Sequence, residues 1–288
     1  MNLTEEIEIN VRRGLAEDIG SGDLTALLVE NNTTLHAKII SRDDAIVCGT
    51  QWFEASFHQL SPDVLIRWHV QDGDKILKEQ ILCEIEGCAR VLLTAERTAL
   101  NFLQILSAVA TKTRQYVDVI SSTKAKIVDT RKTLPGLRLA QKYAVKCGGG
   151  ANHRLGLHDG ILIKENHIIA AGGIEQALSK AKSIKPSPDV SIQIEVESLE
   201  EFQCALIAGA EMILLDNFSL SQLRDAVNLS KQLTNGPVLL EASGNITLDT
   251  VKVVAETGVD RISIGSLTKD VKAIDLSMRF RGMDLHAI

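Results

Sequence analysis

Six short apolar, β-branched runs fill the second half of the chain and restrict the folds open to it. They are AKIVDT (125–130), GILIK (160–164), SIQIEVE (191–197), MILLDN (212–217), PVLLEAS (237–243) and RISIGSL (261–267). Between them lie helix-compatible stretches such as IEQALSKAKSI, LEEFQCALIAGA, LSQLRDAVNLSKQL and LDTVKVVAETG. Strands that are near-continuously apolar need cover on both faces, which a parallel sheet wrapped by its own crossover helices supplies. The returns from helix to strand are short and marked by glycine (AGA, TNGP, TGVD), as helix ends that need a left-handed residue should be. Each run closes on polar residues: Asp129, Lys164, Glu195 with Glu197, Asp216, Glu241 with Ser243, and Ser263. In a β/α barrel that rim carries the chemistry. A single polar end can be turn chemistry; six in succession predict a shared mouth. A complete barrel has eight strands, so an α/β fold with an open, incomplete barrel is expected.

Residues 1–108 lack this rhythm. Leu35 to Val47, Leu65 to Val70 and Ile76 to Ile85 read as strands, the last pair joined by the turn QDGDK. The stretch 94–120 carries apolar residues at helical spacing and should bridge the two halves. The final DLSMRF is expected to return to the first region. The predicted organisation is a first domain over 1–108, with 269–288 returning to it, and a barrel over 109–268. No run of about 18 uncharged apolar residues exists, so no membrane span is expected. The opening MNLTEEIEIN has neither the basic nor the apolar region of a secretory signal, and a cytoplasmic location follows as an expectation. Five cysteines (Cys48, Cys83, Cys88, Cys147 and Cys204) show no CxxC or metal-ligand spacing and read as reduced thiols.

The net charge of −6 argues against a nucleic-acid partner. Its distribution is more informative. Between Asp129 and Ile168 stand Arg131, Lys132, Arg138, Lys142, Lys146, Arg154 and Lys164 against Asp129, Asp159 and Glu165, seven cations to three anions, a local +4. A cationic island in an acidic protein suggests a local anion site; its plainer reading is a solvated helix face. CGGGANHR (147–154), ASGNI (242–246) and SIGSLT (263–268) could each hold phosphate. The last two follow the last two strands and are expected to open the last two helices, where unpaired N–H groups meet the positive end of the macrodipole. Glu195 and Glu197 share a strand face and Asp216 ends the next strand, a plausible Mg²⁺ position facing the island; the competing reading pairs them with lysines. Lys164 could form a Schiff base or stay charged beside an anionic substrate. His153 could carry a proton or contact an anion, and His158 and His167 read as structural.

The ordered strings AERTALNFLQ (95–104), DTRKTLPGLR (129–138), KYAVKCGGGANHRLGLHDGILIKENHI (142–168), EVE (195–197), LLDN (214–217), EASGNI (241–246) and SIGSLT (263–268) resemble the quinolinate phosphoribosyltransferases, and the likeness covers nearly the whole chain. Leu134 and Asn245 depart from the pattern, where threonine and glycine are frequent, but neither removes a charged contact. The resemblance implies an N-terminal α/β sandwich followed by an incomplete β/α barrel, the type II phosphoribosyltransferase fold. It implies transfer of a phosphoribosyl group from phosphoribosyl pyrophosphate to quinolinate with decarboxylation, Mg²⁺ as the metal, and no organic cofactor. It further implies a homodimer, or a higher homo-oligomer built from it, whose active site lies at the interface. By motif, Arg97 would cross that interface to a quinolinate carboxylate, while Thr130, Arg131, His153 and Arg154 would line the same substrate site. Lys132 and Lys164 would lie between the two substrates. Glu195 and Asp216 would hold the ribose hydroxyls and, with pyrophosphate and water, Mg²⁺. Ser243, Gly244 and Asn245, with Ile264, Gly265 and Ser266, would hold the 5′-phosphate.

Two rival functions are open to the residues themselves. A Schiff-base aldolase would use Lys164 and the same phosphate loops. A carrier module would use the segment QDGDKILKEQILCEIEG, whose glycine-turn rhythm is that of biotinyl and lipoyl domains, but Lys75 does not sit in a modification motif.

Overall fold

The computed structural model describes residues 2–31, 33–233 and 236–280. The chain forms two compact units, one of Met1–Arg114, Thr133–Gly149 and Asp270–Ile288, the other of Gln115–Lys132 and Gly150–Lys269.

The first unit begins with helix α1 (Leu3–Ile19), followed by β1 (Thr34–Ser41), β2 (Ala45–Ile46), α2 (Thr50–His58), β3 (Leu65–Trp68), β4 (Lys75–Ile76), β5 (Ile81–Cys88) and, up to Arg114, the long α3 (Ala89–Val119). Its main sheet is antiparallel, with β5 between β1 and β3 and the strand Leu276–Phe280 on the far side of β1. DLSMRF thus closes this sheet; residues 281–288 and the TN of the TNGP loop lie outside the described residues. Alternation builds the core. Ala37, Ile39 and Ser41 of β1 point inward, joining Phe53, Phe57, Leu82 and Ile85. Along α3, Leu92, Ala95, Ala99, Leu103 and Leu106 recur every three or four residues and are buried. Full burial of a side chain such as Phe57 contributes roughly 1.5–3 kcal/mol.

Two expected strands are broken. The run 35–47 interrupts at Arg42–Asp44, where the Arg42 N–H donates to the Asp275 carbonyl and its guanidinium pairs with Glu79. The run 76–85 turns at Glu79, a non-glycine residue at φ +65, which leaves β4 and β5 separate.

After β6 (Lys126–Val128), helix α4 (Arg138–Cys147) belongs to the first unit, whereas the sequence suggested one barrel over 109–268. The physical reason is its buried face of Ala140, Gln141, Lys142, Ala144 and Val145. Tyr143 stacks tilted on Trp52 at 5.6 Å, and Asn10 Nδ2 donates to the Gly136 carbonyl just before the helix.

The second unit continues with β7 (Gly160–Ile163), α5 (Glu165–Ala171), α6 (Ile174–Ile184), β8 (Ser191–Val196), α7 (Leu199–Ile207), β9 (Met212–Asp216), α8 (Leu220–Leu233), β10 (Leu239–Ser243), α9 (Val251–Ala255), β11 (Arg261–Ser263) and α10 (Ser266–Lys269). Its six strands are all parallel, in the order β6-β11-β10-β9-β8-β7. Sequential neighbours pair and the first strand lies beside the last. That is a β/α barrel left open between β6 and β7. The expected return at AGA is a Schellman turn: Gly209 takes φ +74 and the Ala210 N–H reaches back to the Ala205 carbonyl.

Candidate active site

All six strand ends of the second unit bring polar residues to one rim. Asp129, directly after β6, is fully buried and accepts the His153 N–H and the Asn152 Nδ2. Ala151 bridges Val128 along the free edge of β6. The ANHR segment therefore lies on one edge of the open sheet and runs on to β7 at the other. The loop behind it folds around Asp159, which accepts the Leu155 and Gly156 N–H groups at 2.6 and 2.8 Å. Burial raises the Asp159 pKa, but those N–H bonds and the nearby His158 outweigh it and hold the carboxyl below its ordinary range.

Arg154 Nη1 donates to the Gly160 carbonyl. Burial and the neighbouring Arg131 guanidinium both lower the proton affinity of Arg154. Two guanidinium groups held near each other are mutually unfavourable until an anion lies between them. His153 is tied on both ring nitrogens: Nδ1 accepts the Arg154 N–H at 2.7 Å, so Nε2 carries the proton and donates to Gln193 Oε1 at 2.9 Å. Gln193 in turn donates to Glu241 Oε2 at 3.1 Å, and Glu241 is completely buried in the barrel interior with Oε1 left without a hydrogen bond. Gln193 was not legible as a site residue. Asn217 was not singled out either, although it lies within LLDN.

Lys164 directly follows β7 and donates from Nζ to Glu195 Oε2 at 2.8 Å, with half its side chain exposed. Its amine is thus committed to a carboxylate partner, whereas a Schiff-base aldolase needs that nitrogen free to attack a carbonyl, so the pairing argues against that rival. His167 accepts the Lys164 N–H, the structural role expected of it. Glu197 has a raised pKa, first because of Glu165, then burial, Glu201, Asp216 and Glu195. The carboxylates that follow β7, β8 and β9 thus crowd one sector of the rim, where a cation would relieve their repulsion. Among the described residues they do not form a cage of three converging ligands. Glu195 and Asp216 fit Mg²⁺ as it is ordinarily bound, through one or two carboxylates with the rest of its shell from phosphate and water.

The two phosphate loops differ from expectation in one respect. α9 starts only at Val251, well after the ASGNI turn, and α9 and α10 have five and four residues. Helix macrodipoles this short add little, so N–H groups for an anion would have to come from the turns themselves. Their shape is set by close packing. Gly244 takes φ +106, and a Cβ there would fall on Asn217 Oδ1, while Asn245 and Asn217 also adopt positive φ. Asn217 N–H donates to the Ser243 carbonyl, stitching the β9 turn to the β10 turn. Ser243, Gly244 and Asn245 line a cleft with Phe218, Ser219 and Thr250. At the end of the neighbouring strand β11, a Cβ on Gly265 would crowd Lys132 Cδ at 3.2 Å and touch Thr130 Oγ1 at 3.7 Å. Thr130 Oγ1 accepts the Lys132 N–H, and Thr268 Oγ1 donates to the Lys132 carbonyl. The turn at Ile264–Ser266 and the turn at Thr130–Lys132 are therefore packed as one body.

The second unit gathers Thr130, Arg131, Lys132, His153, Arg154, Lys164, Glu195, Asp216 and both phosphate turns. The cationic island is divided: Arg138, Lys142 and Lys146 lie on α4 in the first unit. Arg97 is exposed on α3, also in the first unit.

Residues 23–107 match the profile described as quinolinate phosphoribosyl transferase, N-terminal domain, and residues 109–279 match its C-terminal domain. The chain is 42% identical over 262 residues to the probable nicotinate-nucleotide pyrophosphorylase (carboxylating) of Bacillus subtilis, covering 91% of this chain and 89% of that one. It is 39% identical over 272 residues to the nicotinate-nucleotide pyrophosphorylase (carboxylating) of Mycobacterium leprae, covering 93% and 95%. The solved structure of the nicotinate-nucleotide pyrophosphorylase from Francisella tularensis superposes with a TM-score of 0.93 at 44% identity, over 98% of each chain. With both domains matched and such identity over its length, this chain belongs to the quinolinate phosphoribosyltransferase family.

Proposed function

We propose that the protein transfers the phosphoribosyl group of phosphoribosyl pyrophosphate to quinolinate, releasing pyrophosphate and carbon dioxide and forming nicotinate mononucleotide for NAD biosynthesis. One observation carries this reading in the site itself. Arg131, Lys132, Arg154 and Lys164 stand on the same rim as the carboxylates Glu195 and Asp216. Cations suit a dicarboxylate and a triply phosphorylated sugar, and carboxylates suit the ribose.

In this reading Arg131 and Arg154 grip the quinolinate carboxylates, for which the planar guanidinium is shaped. His153, its ring fixed by Gln193 and by the Arg154 N–H, sets the wall of that pocket. The turns at Gly244 and Gly265 hold the 5′-phosphate. The pyridine nitrogen attacks C1 of the ribose as the bond to diphosphate breaks, and positive charge grows on the sugar. Glu195 and Asp216 stabilise that charge and orient the ribose hydroxyls, while Lys132 and Lys164 stabilise the negative charge of the reactants. Mg²⁺, held by Glu195 and Asp216 with pyrophosphate and water, would neutralise charge on the departing diphosphate. The alkylated ring nitrogen then accepts the electron pair left when the 2-carboxylate departs, so no organic cofactor is required.

The same reading extends to a homodimer, in which Arg97 of one subunit completes the quinolinate site of the other, and to a cytoplasmic location. Among the described residues no helix is long and apolar enough to cross a membrane. The direct test is to incubate the protein with Mg²⁺, phosphoribosyl pyrophosphate and either quinolinate or nicotinate. Mononucleotide and carbon dioxide should appear together with quinolinate. Folded protein that yields neither would sink the assignment.

A further inference from the structure

Outside the strand-end rim, the first unit holds a second cluster of reactive side chains. The sulfurs of Cys48 and Cys147 and a carboxylate oxygen of Asp72 lie within 4.8 Å of one another. The two cysteines come from distant segments, one between β2 and α2, the other at the last residue of α4.

Both are pinned against α3. The Cys48 N–H donates to Ser107 Oγ, which donates back to the Cys48 carbonyl, and a Cβ on the adjoining Gly49 would lie only 3.0 Å from Leu106 Cδ1. After Cys147, a Cβ on Gly148 would lie 2.5 Å from the Ala110 carbonyl oxygen. The glycines let the chain approach the helix closely enough to bring the two thiols together.

The pair is chemically unequal. Cys48 is fully buried, and burial pushes its thiol pKa well up, so it stays an S–H. Cys147 is partly exposed, and the neighbouring Cys48 thiol is the main cause of its lowered pKa, only partly offset by burial and the Asp72 carboxylate. Asp72 is already committed: its oxygens accept the Gly49 and Thr50 N–H groups and the Tyr143 O–H. Its role is to cap α2 rather than to stand open as a metal ligand.

We propose that Cys48 and Cys147 form an oxidisable dithiol, a modification site separate from the catalytic rim, that closes to a disulfide when it meets a hydroperoxide. The Cys147 thiolate attacks the terminal peroxide oxygen, the O–O bond breaks, and sulfenic acid forms on Cys147 with release of water or alcohol. The Cys48 sulfur then attacks Cys147 Sγ, its proton leaves with the hydroxide as water, and the S–S bond forms. Two thiols are oxidised and one peroxide is reduced. The sulfurs must close from within 4.8 Å to about 2.0 Å.

The test uses the full-length protein reduced, desalted and exposed to equimolar hydrogen peroxide, followed by non-reducing peptide mass spectrometry. Wild type should lose two free thiols and yield a Cys48–Cys147 linked peptide that dithiothreitol reverses. Cys147→Ser should oxidise on the order of tenfold more slowly and form no link, because the more acidic thiol reacts first. Cys48→Ser should stop at a sulfenic acid on Cys147 that dimedone traps; Cys48→Ala serves the same purpose if serine is not tolerated in the buried position. Oxidation confined to Cys88 or Cys204 would overturn the proposal. So would one Zn²⁺ per chain bound tightly enough to protect both thiols, which would make the cluster a metal centre.

Discussion

Lys164 Nζ lies 2.8 Å from Glu195 Oε2, joining the ends of the adjacent strands β7 and β8. The bond holds a cation and an anion at the mouth, each placed for the reactant of opposite charge. Lys164→Ala should lower kcat/KM by about 10²–10³-fold, the scale of one preorganised electrostatic contact to the transition state. Borohydride reduction in the presence of substrates should leave the mass of the wild-type chain unchanged. A reduced adduct on Lys164 would revive Schiff-base chemistry and remove the charge-neutralising role.

Gly244 has no room for a side chain, because its Cβ would occupy the place of Asn217 Oδ1 and its φ is +106. Gly244→Ala should therefore cost about 1–3 kcal/mol in stability, the usual scale of forced backbone strain. It should raise KM for phosphoribosyl pyrophosphate far more than KM for quinolinate. Asn217→Gly in the same chain removes only the side-chain part of the clash and leaves the Asn217 backbone nitrogen 2.9 Å from the new Cβ, so it should recover part of the lost melting temperature but not the backbone crowding or the φ strain. Thermal melts and the two KM values decide the matter.

The buried chain from His153 through Gln193 to Glu241 predicts the opposite split. Gln193→Leu removes the hydrogen bonds that join the His153 ring to Glu241 Oε2 and leaves between them only the 3.8 Å approach of His153 Nε2 to Glu241 Oε1, a loss of about 1–3 kcal/mol. Because His153 adjoins Arg154, the variant should raise KM for quinolinate and spare KM for phosphoribosyl pyrophosphate. Equal effects on both would reduce the network to simple core stability.

Asp159 predicts a pH dependence. Its folded pKa is depressed below the ordinary value, so its contribution to stability is present above the unfolded pKa and is lost as pH falls through the folded one. Asp159→Asn should melt below wild type at neutral pH, and the gap should shrink as the solution is taken below the ordinary aspartate value of about 3.9. A gap that stays constant into strong acid would assign the effect to shape instead of charge.

The barrel was legible because each of its strands is apolar through its length and polar at its end, a pattern that needs only local sequence. Arg131, Lys132, Arg154 and Lys164 were legible for the same reason, since their clustering in one stretch against an acidic background is visible without coordinates. The Gln193–Glu241 pairing was not. In SIQIEVE, Gln193 and Glu195 look like two members of one polar face, yet Gln193 is buried because β10, two strands away, supplies its partner. The assignment of α4 to the first unit was hidden likewise, for it depends on Trp52 and Asn10, which are remote in sequence. The helix-dipole expectation held in position for SIGSLT, where α10 opens at Ser266, but not for ASGNI, and it overstated both dipoles because apolar periodicity reveals that a helix exists but not that it ends after about one turn.

Arg97 offers the last and sharpest test, of assembly. It is exposed on α3, where Glu96 beside it is half-buried and has a raised pKa from that burial, only partly offset by Arg97. An arginine that serves its own subunit and one that serves a partner predict different outcomes when variants are mixed. Arg97→Ala and Arg154→Ala should each lose about 10²-fold or more in activity as pure proteins, as loss of a charged contact to substrate implies. If each site takes Arg97 from one chain and Arg154 from the other, a hybrid dimer contains one site with both arginines and one with neither. Random exchange makes half of the dimers hybrids, so the mixture should regain about a quarter of the wild-type activity per site. Subunit exchange is verified independently by native mass spectrometry of differently tagged chains. Exchange without recovery would place Arg97 and Arg154 in the same subunit's site and remove the argument for a shared active site.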